Sequence, residues 1–157
     1  MGSLRVYVDT SVFGGCFDPE FAVESLRFFE LVRRSLVTVL TSEIVFNELD
    51  LAPERVRRLP NDLPRGLLVR VPISREVVTL RDAFVAAKIV GPKSLYDATH
   101  VAAATVARAD AITSWNFQHI VRLDKIRMYN AVSLESGYPP VSIVTPQEIR
   151  FDEENTH

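Results

Sequence analysis

The sequence predicts an α/β chain, a three-layer α/β/α sandwich around a central, mainly parallel sheet. Three observations carry this. Short β-branched segments that are apolar throughout recur along the chain, as strands covered on both faces require. Helical segments alternate with them. The first apolar segment ends abruptly in the polar cluster Asp9-Thr10-Ser11, at the strand end where open α/β sheets place their sites.

Leu4 to Val8 (LRVYV) reads as a buried strand. Asp9-Thr10-Ser11 and then Gly14-Gly15 read as a turn. Asp18-Pro19 pairs an N-cap with a proline at the first helical position, so a helix is expected from there to about Arg34. Leu36 to Leu40 is a second strand, and Thr41-Ser42 cap a short helix through Asp50. Pro53 opens another short helix, broken by Pro60 and Pro64. Gly66 to Val71 is a third strand. Ser74 caps a helix to about Val90, stopped by Gly91-Pro92. Ser94 to Arg108 is an Ala-rich helix, and Ala111 to Trp115 a fourth strand. Phe117 to Leu123 and Ile126 to Ser136 read as helices, and Val141 to Val144 as an edge strand. Residues 1–150 are expected to form one domain, with a flexible polar tail at 151–157.

Composition narrows the function classes. The 157 residues carry 18 Lys+Arg and 20 Asp+Glu, a net charge of −2, which excludes a globally basic nucleic-acid binder but not a local basic patch. A single cysteine, Cys16, excludes an internal disulfide framework and a cysteine-based metal cluster, and fits a reducing compartment. No apolar run approaches the roughly 20 residues of a membrane span, and the first residues lack a secretory apolar core. A cytoplasmic protein without a membrane partner is expected.

Asp9, Glu48, Asp97 and Asn116 stand out. Asp9 ends the first strand, although Asp-Thr-Ser is also good turn chemistry. Glu48 follows Ile44 by four residues and Val45 by three, which puts a charged group on or beside an apolar stripe. The bland alternative is a stripe-margin Glu reaching solvent. Asp97 fits the S-x-x-[DE] capping pattern with Ser94, yet Val101 and Ala104 follow it on the same helical face. Asn116 reads equally as an N-cap for the segment after it and as a ligand or water-holder.

VYVDTSVFGG (6–15), SEIVFNEL (42–49), SLYDATHVAAA (94–104), DAITSWNFQHI (110–120) and GYPPVSIVTPQEI (137–149) occur in this order. With them the chain resembles PIN-domain nucleases, and particularly the VapC-like toxins of toxin–antitoxin pairs. The resemblance implies an acidic set of Asp9, Glu48 and Asp97, which would act in catalysis and hold the metal. Many members carry a further Asp where this chain has Asn116, which removes one anionic ligand. A small hydroxyl residue beside the first Asp matches Thr10 or Ser11, and Thr113 or Ser114 lie near the same rim.

Such a gathering of acids has a physical requirement. Two carboxylates about 4 Å apart repel by roughly 4 kcal/mol at an effective dielectric of about 20. Converging acids therefore call for a proton or a cation. Oxygen-only ligands favour Mg²⁺ or Mn²⁺ over zinc. The expected function is metal-dependent hydrolysis of a phosphodiester by water. RNA as the substrate, a small antitoxin protein as partner and a homodimer are implied by the resemblance alone.

Other residues read more plainly. His100, one turn after Asp97, makes a D-x-x-H pair able to hold a metal, but reads first as a partly buried, hydrogen-bonded histidine. His119 is within reach of a phosphate near the fourth strand's end, with a surface role as the alternative. Trp115 and Phe117 read as packing residues. Arg55, Arg57, Arg58, Arg65 and Arg70 offer charge for RNA phosphates, or form a solvated face balanced by Glu54 and Asp62. Two other readings compete with the nuclease. One is a non-catalytic RNA-binding or protein-interaction module with a metal site weakened by Asn116. The other is a haloacid-dehalogenase-like phosphotransferase, which fits poorly because Ser11 stands where a second Asp is needed.

Overall fold

The computed structural model describes residues 3–152. The elements run β1 (Leu4–Val8), α1 (Thr10–Gly15), α2 (Ala22–Arg33), β2 (Val37–Thr41), α3 (Glu43–Leu49), α4 (Glu54–Arg57), β3 (Leu68–Arg70), α5 (Arg75–Ala86), α6 (Leu95–Val106), β4 (Ala111–Thr113), α7 (Leu123–Glu135) and β5 (Ser142–Val144). Short 3₁₀ turns lie at Leu59–Asp62, Pro92–Ser94 and Pro146–Glu148.

Among the described residues the strands form one five-stranded sheet in the order β3-β2-β1-β4-β5, and every neighbouring pair is parallel. Val6, at the centre, pairs with Val39 on one side and Ala111 on the other. Consecutive residues Val6, Tyr7 and Val8 are all buried, as are Val39, Leu40 and Thr41. A strand buries successive side chains only when both sheet faces are covered, so the expected layered α/β architecture is present. The chain first builds outward through β2 and β3. It then returns past β1 to lay down β4 and β5. The order reverses between β1 and β4, which opens a crevice at their C-terminal ends.

Local departures from the sequence expectation have physical causes. The turn expected after Asp9 is instead helix α1. Its Thr-Ser-Val-Phe-Gly-Gly sequence has poor helix propensity, but the helix buries Val12 and Phe13, and packing overrides propensity. Helix α2 starts at Ala22 rather than after Asp18, because the Asp18 carboxylate accepts the Glu20 amide at 2.8 Å and makes a separate turn there. Helix α5 is capped by Ser74 as expected but ends at Ala86, ahead of Gly91-Pro92. Lys88 adopts a left-handed φ of 61°, and the Ile89 amide bonds back to the Phe84 carbonyl at 3.2 Å. The expected helix from Phe117 to Leu123 is a turn instead. Asn116 Oδ1 accepts the amides of Gln118 (3.2 Å) and His119 (2.9 Å), and α7 begins only at Leu123.

Of the tail expected at 151–157, residues 153–157 lie outside the described residues, and Phe151 packs partly buried against the core. Among the described residues no helix is long and apolar enough to cross a membrane.

Candidate active site

Three segments meet at the crevice. Asp9 is the residue that leaves β1 and enters α1, and it is 5% exposed. Its backbone amide bonds the Thr113 carbonyl of β4 at 3.0 Å, which ties it to the neighbouring strand. Its Oδ2 accepts hydrogen bonds from Ser11 Oγ and Ser114 Oγ, both 2.7 Å. Ser11 Oγ also accepts the Trp115 amide (2.9 Å), and Ser114 Oγ accepts the Asn116 amide (2.9 Å). The protons of both hydroxyls are thus committed to Asp9, and Oδ1 is left to face the rest of the site.

Glu48 reaches the same place from α3. Ile44, Val45 and Leu49 bury the helix face, and Glu48 sits at the stripe's margin with its side chain 31% exposed. Its Oε1 accepts from Thr10 Oγ1 at 2.7 Å and lies 2.6 Å from His100 Nε2. His100 Nε2 is also 3.6 Å from Asp9 Oδ1. The ring is fully buried, and its other nitrogen, Nδ1, is 2.7 Å from Tyr7 Oη, which is in turn 2.7 Å from Ser42 Oγ.

Burial and charge compete here, and the directions show which wins. Full burial is the largest influence on His100 and lowers its pKa. The hydrogen bond to Glu48 and the charges of Asp9, Glu48 and Asp97 together outweigh it, so the net shift is upward. Glu48 mirrors this: burial pushes it up, but the His100 hydrogen bond and charge, with Thr10, hold it below the usual carboxylate range. Both partners favour the same state, a carboxylate on an imidazolium. Burial, and secondarily Asp9 and Glu48, push the Tyr7 phenol far up, so it stays a neutral hydrogen-bonding group.

Asp97 opens α6, but the Ser94 capping box is not formed among the described residues, because a 3₁₀ turn precedes the helix. Its carboxyl is therefore not consumed as a cap. Burial raises its pKa, and the Asp9 charge raises it further. The positive influence of His119 and His100 and the Asn116 side chain pull it back only in part. Asn116 has its oxygen taken by the two amides of its turn, so its NH₂ group is what it offers to Asp97. His119 shares this corner, and its Nδ1 is buried without a hydrogen-bond partner among the described residues.

The tightest group able to surround an ion is Asp9, Glu48 and His100, with one ligand atom of each within 4.8 Å of the others. Two of the three expected acids belong to it, and Asp97 stands alongside, close enough to feel the Asp9 charge. His100 is the member that sequence reasoning set aside. The signal for it was present: the spacing D-x-x-H puts it on the same helical face as Asp97. Tyr7 and Ser42 carried no separable signal, since one reads as a core residue of a strand and the other as a helix cap. Trp115 packs, as expected. It stacks on Phe21 at 4.5 Å between ring centroids and donates its Nε1–H to Ser25 at 2.8 Å.

With this geometry in hand, solved structures provide the comparison. The chain is similar to VapBC2 from Rickettsia felis bound to a DNA fragment from their promoter (TM-score 0.56, 13% identity, covering 89% of this chain and 97% of that one). It is similar to FitAcB from Neisseria gonorrhoeae (TM-score 0.56, 13% identity, 92% and 99% covered). It is also similar to Mycobacterium tuberculosis VapC20, described as a sarcin–ricin loop cleaving toxin (TM-score 0.52, 12% identity, 87% and 98% covered). The fold is that of VapC-like PIN domains. No family model and no curated protein matches the sequence.

Proposed function

We propose that the protein is a divalent-metal-dependent endoribonuclease that hydrolyses RNA phosphodiester bonds and acts as the toxin of a toxin–antitoxin pair. The observation that carries this reading is the meeting of Asp9 from β1 and Glu48 from α3, with Asp97 from α6 beside them, at the crevice where the strand order reverses. The likeness of fold to VapC20, described as a sarcin–ricin loop cleaving toxin, supports the same reading.

The donor set fits a hard or borderline dication. Asp9 is buried with one carboxylate oxygen pinned by two serines and the other directed at Glu48 and His100. Asp9 and Glu48 would hold the ion, with Asp97 alongside. An ion there supplies positive charge against the scissile phosphate and makes a nearby water more acidic. The residues of the chain do the positioning. Thr10 fixes the Glu48 carboxylate, and in the metal-free protein His100 does so as well. Asn116 steadies Asp97 through its NH₂ group. His119 and Arg55 offer contacts to phosphate. Arg55 lies over the Phe17 ring at 4.8 Å and lines a cavity of about 400 Å³ whose wall includes Thr10, the partner of Glu48.

The reading carries with it an RNA substrate, a small antitoxin, a homodimer and a cytoplasmic setting, with Mg²⁺ or Mn²⁺ as the ion. It is tested by incubating the purified protein with mixed RNAs in Mg²⁺ or Mn²⁺, with and without EDTA. Asp9→Asn, Glu48→Gln and Asp97→Asn are run beside it. The expected result is cleavage that EDTA abolishes and that each substitution lowers by at least about 100-fold. RNA binding without cleavage in every metal would replace the enzyme with a binding module.

A further inference from the structure

We infer that His100 is itself a ligand of the ion, which makes the centre a mixed nitrogen–oxygen site with a preference for Mn²⁺ over Mg²⁺. This rests on the metal-dependent reading above and departs from the oxygen-only site that the sequence suggests. Three observations lead to it.

The first is distance. Two donors that each lie about 2.1 Å from one octahedral ion, at right angles to each other, are themselves about 3 Å apart. His100 Nε2 is 2.6 Å from Glu48 Oε1 and 3.6 Å from Asp9 Oδ1, values that bracket this separation. In the metal-free protein the 2.6 Å contact is the Nε2–H hydrogen bond to Glu48; a dication entering between the two acids would displace that proton and leave the Nε2 lone pair facing both.

The second is the support behind the ring. A metal-binding histidine characteristically gives its other N–H to a hydrogen-bond acceptor, which fixes the tautomer and aims the ligating lone pair. His100 Nδ1 meets Tyr7 Oη at 2.7 Å, and Tyr7 Oη meets Ser42 Oγ at 2.7 Å. With Nδ1 donating to Tyr7 and Tyr7 donating to Ser42, release of the Nε2 proton on metal binding leaves Nε2 as the ligating atom. Tyr7 lies in the middle of β1 and Ser42 at the start of α3, so the support is built from the same two segments that deliver Asp9 and Glu48.

The third is the composition of the group. Asp9, Glu48 and His100 are the members that come within 4.8 Å of one another, whereas Asp97 is not among them. An imidazole donor favours first-row transition ions over Mg²⁺, and Mn²⁺, the weakest binder of that row, is the one that also accepts a carboxylate-rich set.

The test loads the full-length protein with Mn²⁺ and records electron spin-echo modulation together with titration calorimetry. The expected result is ¹⁴N modulation from a directly bound imidazole, with Mn²⁺ binding tighter than Mg²⁺. In His100→Gln the nitrogen signal and the Mn²⁺ preference should both disappear. In Tyr7→Phe the nitrogen signal should persist while affinity falls about 10- to 100-fold. Mn²⁺ bound by wild-type protein without ¹⁴N modulation would overturn the role of His100 and leave the nuclease reading standing. No binding of either ion, with RNA cleavage persisting in EDTA, would overturn both. The wild-type spectrum alone decides the matter if the His100 variant fails to fold.

Discussion

Ser114 Oγ donates a 2.7 Å hydrogen bond to Asp9 Oδ2, joining residues 105 positions apart across the seam between β4 and β1. Both groups are buried, and the bond fixes which face of the carboxylate looks into the site. Ser114→Ala should therefore lower RNA cleavage by about 10- to 100-fold while the circular-dichroism spectrum stays unchanged. Unaltered rates in a steady-state cleavage assay would show that Ser11 alone suffices to orient Asp9.

Tyr7→Phe tests the support of His100 in a different currency, fold stability. It removes one hydroxyl and leaves His100 Nδ1 and Ser42 Oγ without that partner in a closed interior. Stranding buried polar groups costs about 1–3 kcal/mol. Urea denaturation should show a loss in this range with an unchanged slope.

Gly15 illustrates how closely the rim is packed. A Cβ there would lie 2.6 Å from Ser25 Oγ and 2.9 Å from Trp115 Nε1, the two atoms that hydrogen-bond each other. Gly15→Ala must separate that pair or shift α1, and overpacking of this kind costs about 1–3 kcal/mol. Thermal melting should show the loss, and the increment due to Gly15→Ala should be smaller in a Ser25→Ala background, where one of the two obstructing atoms is gone.

The Glu48–His100 pair gives the metal-free protein a signed pH dependence. His100 titrates above its ordinary value of 6.5, so its contribution is complete below pH 6.5 and is lost as pH rises through the folded value. Glu48 titrates below its ordinary 4.5, so its contribution is complete above pH 4.5 and is lost as pH falls through the folded value. The pair is at full strength between these two ordinary values. Asp97 titrates above its ordinary value of 3.8, so its ionisation costs stability as pH rises from 3.8 through its folded value and adds nothing further above that. The difference in melting temperature between wild type and His100→Gln, measured in EDTA, should be largest in that window and narrow on either side. A difference that is flat with pH would mean the two side chains do not form an ion pair.

Much of this was legible in the chain. Segments such as LRVYV and AITSW are short and mostly apolar without a polar-out alternation, and that pattern points to a parallel sheet with both faces covered. Asp9 was visible because a charged residue ended a strand, and Glu48 because its spacing from Ile44 and Val45 set it beside an apolar stripe, where the structure has it at the margin. Helix α1 was not, because its stability comes from burying Val12 and Phe13 against other segments rather than from its own residues. The turn after Asn116 was not, because helix caps and Asx turns use the same side chain for different backbone paths. His100 was discounted because its relation to Asp9, Glu48 and Tyr7 depends on tertiary structure, and only its spacing from Asp97 is written in sequence.

Both outer strands of the sheet, β3 and β5, are only three residues long. An edge so short exposes few free amides and carbonyls, which leaves little template for a foreign strand to zip onto. Recruitment of another chain by β-addition is thereby discouraged. Solubility at high concentration then depends on surface side chains more than on backbone at the sheet's margins.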